Sequence, residues 1–336
     1  MGGILFSGRF LSALVDRPLY FFKQQWKKVL RAGARPAYQE RKGALMIALA
    51  QLLHYNADRW RSITQSMERS TMSQIFETTF DNAAADYERI RPAYLPAIFD
   101  DILCYKPLSA DSNVLEIGMG TGAATRPFLE TGCRFVGVEP GKNLAMTAAD
   151  KYREYPNFSV CTQRLQDYVC PKEEYDLIYA ATAFHWIPED YGYKRVFTLL
   201  KEGGAFARFR YHAGPDQQRQ TMAEEIQTLY REYMQRERPA AFSERDAKAI
   251  ADTAVKYGFI DIKYYLYHTT KAFTADEYMT LLRTYPDHMK LPDPQRARLF
   301  DGIYRAIMRS GGLITVNYTM DLELARKPFG FEGACQ

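Results

Sequence analysis

The sequence predicts an α/β fold built on a mostly parallel sheet with helices on both faces. Three observations carry this. Short apolar strands alternate with helical stretches from residue 113 onward, glycines punctuate the strand ends, and 47% hydrophobic residues suffice for a sizeable core. In order, Asn113–Ile117 reads as a strand that ends in glycines, and Ala123–Thr131 as a helix stopped by Gly132. Strand Arg134–Glu139 and helix Asn143–Tyr155 follow, then strands Phe158–Thr162 and Tyr175–Ala181. Helix Tyr191–Leu200 leads through Gly203–Gly204 into a fifth strand, Ala205–Tyr211.

After Gly214 the rhythm changes. Helices are expected at Arg219–Gln235 and Asp246–Tyr257, a strand at Ile260–Thr270, and helices at Ala275–Thr284 and Pro294–Arg309. The turn Gly311–Gly312 precedes a last strand, Leu313–Leu322. This ending predicts that an antiparallel, hairpin-like pair closes the sheet.

Charge is unevenly distributed. Residues 1–71 hold 12 Lys/Arg against 4 Asp/Glu, whereas the whole chain carries only +4. We read 1–71 as a basic helical extension, either a separate arm or the product of a misassigned start, and 328–336 as a tail. The modest net charge does not point to a nucleic-acid partner. The best apolar run, Ala44–Leu53, is half of the roughly 20 residues that span a bilayer, so stable membrane insertion is not expected. The cysteines, Cys104, Cys133, Cys161, Cys170 and Cys335, lack metal-ligand spacing, and a reduced, cytoplasmic protein without a metal is the expectation.

The chemistry concentrates at Val114-Leu115-Glu116-Ile117-Gly118-Met119-Gly120-Thr121-Gly122. A strand enters a glycine turn that permits positive φ and close approach of a ligand to the backbone, and a helix start then offers unpaired N–H groups. Glu139 ends the next strand, where a carboxylate can accept both ribose hydroxyl hydrogens of an adenosine ligand. Gly118-x-Gly120-x-x-Ala123 also satisfies a dinucleotide fingerprint, so an NAD-dependent oxidoreductase stays open on this motif, as does a non-catalytic cofactor-binding protein. Glu116 favours the sulfonium cofactor: a carboxylate there can hold an ammonium or orient the loop, and would repel a pyrophosphate. No Tyr/Lys pair of the kind a nicotinamide enzyme needs follows the fourth strand.

With Tyr87-x-x-x-Arg91-Pro92 upstream, Phe184-His185-Trp186 after the fourth strand and Ala325-Arg326-Lys327 late in the chain, residues from about Met72 to Lys327 resemble the small-molecule class I methyltransferases of the type 11 kind, which include trans-aconitate methyltransferase-like proteins. The resemblance implies a Rossmann-like, seven-stranded, mostly parallel sheet with a helical cap from 72–110 and 214–310, and S-adenosyl-L-methionine as cofactor. It implies that Gly118, Gly120 and Gly122 cradle the methionine part with Glu116 near its amino group, and that Glu139 binds the ribose. Gln166 would face the adenine, where many relatives carry an acid. Ala181 would line the site with backbone, and Tyr87 and Arg91 would close over the cofactor carboxylate.

Phe184, Trp186 and Tyr285 are candidate pocket residues. His185 is the candidate general base, given its ordinary pKa near 6.5. His212, His268 and His288 show no partner in sequence and read as surface or packing residues, and Arg210 and Arg283 as solvated. The expected partner is a small-molecule methyl acceptor with an O-, N- or C-nucleophile, on a monomer or homodimer.

Overall fold

The computed structural model describes residues 90–330. The expectations for 1–71, Tyr87 and Cys335 lie outside the described residues. Helix α1 (Pro96–Tyr105) precedes β1 (Asn113–Ile117), α2 (Arg126–Leu129), β2 (Arg134–Val138), α3 (Lys142–Lys151), β3 (Phe158–Cys161) and β4 (Tyr175–Ala181). A 3-10 turn at Phe184–Trp186 leads to α4 (Glu189–Leu199) and β5 (Leu200–Gly214). Then come α5 (Gln220–Met234), α6 (Glu244–Asp252), a 3-10 turn at Thr253–Tyr257, β6 (Ile260–Thr274), α7 (Ala275–Arg283), α8 (Pro286–Met289), α9 (Asp293–Arg309) and β7 (Leu313–Arg326).

Among the described residues these strands form one seven-stranded sheet in the order β3-β2-β1-β4-β5-β7-β6. β1 to β5 pair in parallel, and β7 runs antiparallel to both β5 and β6. The expected antiparallel ending is therefore present. It closes the sheet by inserting the last strand between β5 and β6.

Strand alternation feeds two cores. Val114, Leu177, Tyr179, Ala205, Ala207 and Phe209 pack on one face with α1, α5 and α9, and Leu115, Ile117, Ile178 and Phe206 pack on the other with α4. The side-chain period of two along a strand produces this split. Burial on both faces explains why β1 and β4 read as continuous apolar runs.

The differences from expectation have local causes. Helix Ala123–Thr131 shrinks to α2, because Gly122 and Thr125 close successive turns (Gly122 N to Met119 O, Thr125 N to Gly122 O) and Pro127 brings no N–H. The Asp246–Tyr257 helix splits into α6, opened by a Ser243–Asp246 capping box, and a tighter 3-10 turn ended by Gly258 at φ +88°. β5, β6 and β7 outrun their expected ends, since pairing from Ala205–Arg326 to Gly214–Asn317 continues the ladder through residues that look polar in sequence.

Candidate functional site

The carboxyl ends of β1, β2 and β4 open onto a cavity of about 1380 Å³. Its floor follows from the backbone at the end of β1. Gly118, Gly120 and Gly122 all hold positive φ (+65°, +57° and +75°), a conformation side chains resist. A Cβ on Gly118 would lie 2.6 Å from that of Ala183, whereas one on Gly120 would meet nothing within 4 Å. Gly120 thus presents open backbone to the cavity, a cradle that a side chain would fill.

Gly122 corrects the expectation. It does not line the cavity, and a Cβ there would strike the Tyr152 ring at 2.6 Å. Its carbonyl accepts the Tyr152 hydroxyl at 2.6 Å, so this glycine fastens the loop to the end of α3.

Two carboxylates frame the loop. Glu139 accepts the Gly120 and Gly141 amides, one on each oxygen, at 2.9 and 2.8 Å, and it lines the cavity. Glu116 is 1% exposed, and its Oε2 accepts the hydroxyls of Thr125 (2.6 Å) and Tyr179 (2.8 Å). Of the two roles open to it in sequence, orienting the loop is the one these bonds perform. Burial pushes its carboxyl up to about 7, even though both hydroxyls favour the charged form.

Gln166, Ala181, Arg91, His185, Trp186 and Tyr285 all line the same cavity, so the structure brings most of the sequence candidates together. Phe184 is the exception. It is 4% exposed, packs on Tyr193 and Phe206, and is absent from the cavity wall. The 3-10 turn separates the three side chains: Phe184 goes down into the core, and His185 and Trp186 go out. Crowding by surrounding protein, then the positive charges of Arg210, Arg208 and His212, push the His185 imidazole down to about 3. The ring also opens onto solvent at the cavity mouth, and the feature that matters for chemistry is that it stays neutral.

Arg91 departs from its expected duty. It donates to the Tyr211 hydroxyl (2.7 Å) and the Thr284 carbonyl (3.2 Å), and its guanidinium lies 4.5 Å from the Tyr285 ring centroid. These contacts place it in the wall between the glycine loop and the far chamber. Arg210 also differs: rather than being solvated it lines the cavity, opposite Asp321 in the β5–β7 register, without a side-chain hydrogen bond to any described residue. Arg283 is exposed, as expected.

Sequence reasoning reached the far chamber only through Tyr285 and missed the rest of it. There His212 stacks on Phe242 at 3.6 Å and pairs with Asp321 at 3.1 Å, and Tyr230, Tyr278, Asp287 and His288 line the wall with 236–242. The dipeptide Asp287-His288, just past α7, was the available signal.

Residues 114–204 match a family model described as a methyltransferase domain. Over 72% of its length the chain is 23% identical to an uncharacterised methyltransferase of Schizosaccharomyces pombe, covering 93% of that protein. This chain is an S-adenosylmethionine-dependent methyltransferase. A second S. pombe protein, described as methyltransferase-like, is 24% identical over 70% of the methyltransferase and 90% of its own length. The fold is shared with a solved type II methyltransferase from Anaeromyxobacter dehalogenans, at a TM-score of 0.53, 19% identity, and coverage of 71% of this chain and 98% of that one. No helix among the described residues is long and apolar enough to cross a membrane.

Proposed function

We propose that this methyltransferase methylates a small-molecule acceptor held in the chamber beyond its glycine loop. One observation carries the reading. A single open-mouthed cavity runs from Gly118, Gly120 and Glu139 to Tyr230, Tyr285 and His288, which gives donor and acceptor one shared volume. When bound, S-adenosylmethionine supplies a sulfonium-activated methyl group.

In this reading Gly118 and Gly120 hold the methionine part with backbone, Glu139 accepts from the ribose, and Gln166 and Ala181 line the adenosine side. Glu116 keeps the loop in place through Thr125. Arg91 stands in the wall between the donor end and the far chamber. Trp186 and Tyr285 offer aromatic faces, which attract a sulfonium or an ammonium. The protein's main contribution is to hold donor and acceptor in line, which supplies roughly 7–11 kcal/mol in well-oriented systems.

His185 lines the cavity as a neutral ring. A conjugate acid that forms only near pH 3 makes a weak proton acceptor at neutral pH, so His185 shapes the acceptor site rather than taking a proton. A second reading, methylation of a carboxylate oxygen, is favoured by Arg210, whose guanidinium faces the cavity. Such an acceptor needs no base.

Calorimetric titration with S-adenosylhomocysteine and with NADH tests the donor assignment. Micromolar binding of S-adenosylhomocysteine that Glu139→Ala weakens about 100-fold is the expected result. Binding of NADH alone would return the loop to the dinucleotide reading.

A further inference from the structure

The far chamber contains a hydrogen-bonded row that nothing in the glycine-loop end requires. Tyr230, on α5, places its hydroxyl 2.9 Å from Nε2 of His288. On the opposite edge of that ring, Nδ1 lies 2.8 Å from Oδ1 of Asp287. All three line the cavity, and they differ in exposure: His288 is 3% exposed, whereas Asp287 is 47% exposed and pairs with Arg236 at 2.7 Å.

The partners fix the tautomer. An ionised carboxylate only accepts, so Nδ1 carries the proton it gives to Asp287, and Nε2 is left to accept from the Tyr230 hydroxyl. The row therefore runs from the Tyr230 hydroxyl to the half-exposed Asp287 carboxylate, one proton-accepting position after another.

The wall joins this row to the glycine loop without a break. Ala183 packs against Gly118, and next to it the Thr182 hydroxyl lies 2.8 Å from the hydroxyl of Tyr94. Tyr94 leans on Tyr211 at 6.0 Å, Tyr211 accepts from Arg91, and Arg91 covers Tyr285, whose ring stands 5.5 Å from that of His288.

We propose that Tyr230, His288 and Asp287 form the proton-accepting relay of this methyltransferase, and that the acceptor is accordingly a protic nucleophile, a hydroxyl or an amine. The inference rests on the cavity reading given above. As the acceptor's X–H bond breaks, its proton passes to Oη of Tyr230 while the tyrosine's own proton passes to Nε2 of His288. The electron pair left on X forms the bond to the methyl carbon, and the pair of the broken carbon–sulfur bond stays on sulfur. The imidazolium then releases its Nδ1 proton past Asp287 to solvent, and exchange of the remaining ring proton with solvent restores the Nδ1-protonated resting tautomer.

No free phenolate arises, in keeping with surroundings that hold Tyr230 well above its ordinary value, first through burial and then through Tyr278, Tyr285 and Asp287, with Arg236 opposing.

Nitrogen-15 NMR of the histidine-labelled full chain reads the relay without an acceptor. His288, assigned by the signal lost in His288→Asn, is expected as the Nδ1-protonated tautomer with a downfield proton that Asp287→Asn removes. The Nε2-protonated tautomer would overturn the proposal. Kinetics follow, with S-adenosylhomocysteine formation from S-adenosylmethionine as readout and a panel of small alcohols, amines and matching carboxylates as acceptors. Tyr230→Phe and His288→Asn should each lower kcat on an alcohol or amine about 100-fold, with S-adenosylhomocysteine affinity unchanged. Full turnover in Tyr230→Phe, turnover of carboxylates alone, or binding of S-adenosylhomocysteine without turnover of any alcohol or amine would each refute the relay. Failure of the wild type to bind S-adenosylhomocysteine would instead strike the reading of the cavity itself.

Discussion

The two ends of the cavity are built from different materials. At the donor end, backbone does the holding: three positive-φ glycines, amides of Gly120 and Gly141 on Glu139, and two hydroxyls on a buried Glu116. At the acceptor end, side chains meet side chains: Tyr230 with His288, His288 with Asp287, His212 with Asp321, Arg91 with Tyr211. The donor end is set by where parallel strands stop, so one loop positions everything. The far end, where the proposed acceptor would lie, is assembled from two stretches well apart in sequence, α5 with 236–242 and α7 with α8. A fixed cofactor suits the first design and a variable acceptor suits the second.

The sharpest way to break this contrast is to add one methyl group at the donor end. Gly122→Ala forces φ +75° on a side chain and drives its Cβ into Tyr152. Strain and overpacking together should cost about 4 kcal/mol, or roughly 12 °C in thermal unfolding by calorimetry. Gly120→Ala, with open space before it, should cost only about 1 kcal/mol of stability while weakening S-adenosylhomocysteine binding. Equal melting temperatures for the two variants would show that the loop's packing and ligand faces are misassigned.

Glu139→Ala comes next. It removes a charged acceptor of two hydroxyl hydrogen bonds, for about 3 kcal/mol or roughly 100-fold in S-adenosylhomocysteine affinity by calorimetry. An unchanged affinity would detach this carboxylate from the ribose.

A smaller effect concerns Glu116. Its carboxyl, raised from 4.5 to about 7 by burial, holds its proton more tightly folded than unfolded. Stability from this group is therefore present at low pH and lost as pH climbs through that window. Glu116→Gln removes the titration, so its melting temperature should fall less than the wild type's between about pH 5 and pH 8. Parallel curves would mean the carboxylate is not desolvated in solution.

The smallest expected effect is at His185. Because its ring stays neutral down to about pH 3, His185→Asn should leave the pH profile of kcat unchanged between about pH 6 and pH 9, whatever it does to KM. Loss of a limb of that profile would restore the ring as the base.

The same contrast explains what the sequence revealed. β1, β4 and the succession of strands along the chain follow from apolar runs and glycines, which are local signals, and β4 has the bounds expected for it. Glu139 could be read from its place at the end of β2 alone. The far chamber could not, because nothing in the chain near Tyr230 announces His288, 58 residues later. Phe184 misled for a related reason: adjacency to His185 and Trp186 in sequence becomes separation when a three-residue turn sends one side chain inward. Gly122 misled because a motif spacing does not say which glycine faces a ligand and which faces a tyrosine.

The most direct test of one cavity with two differently built ends is a crystal structure of the full chain with S-adenosylhomocysteine. The account predicts ribose hydroxyls on Glu139, the homocysteine part along Gly118 and Gly120, and the sulfur facing the chamber of Tyr285 and Tyr230. A ligand bound elsewhere, or bound with its sulfur turned away from that chamber, would contradict it.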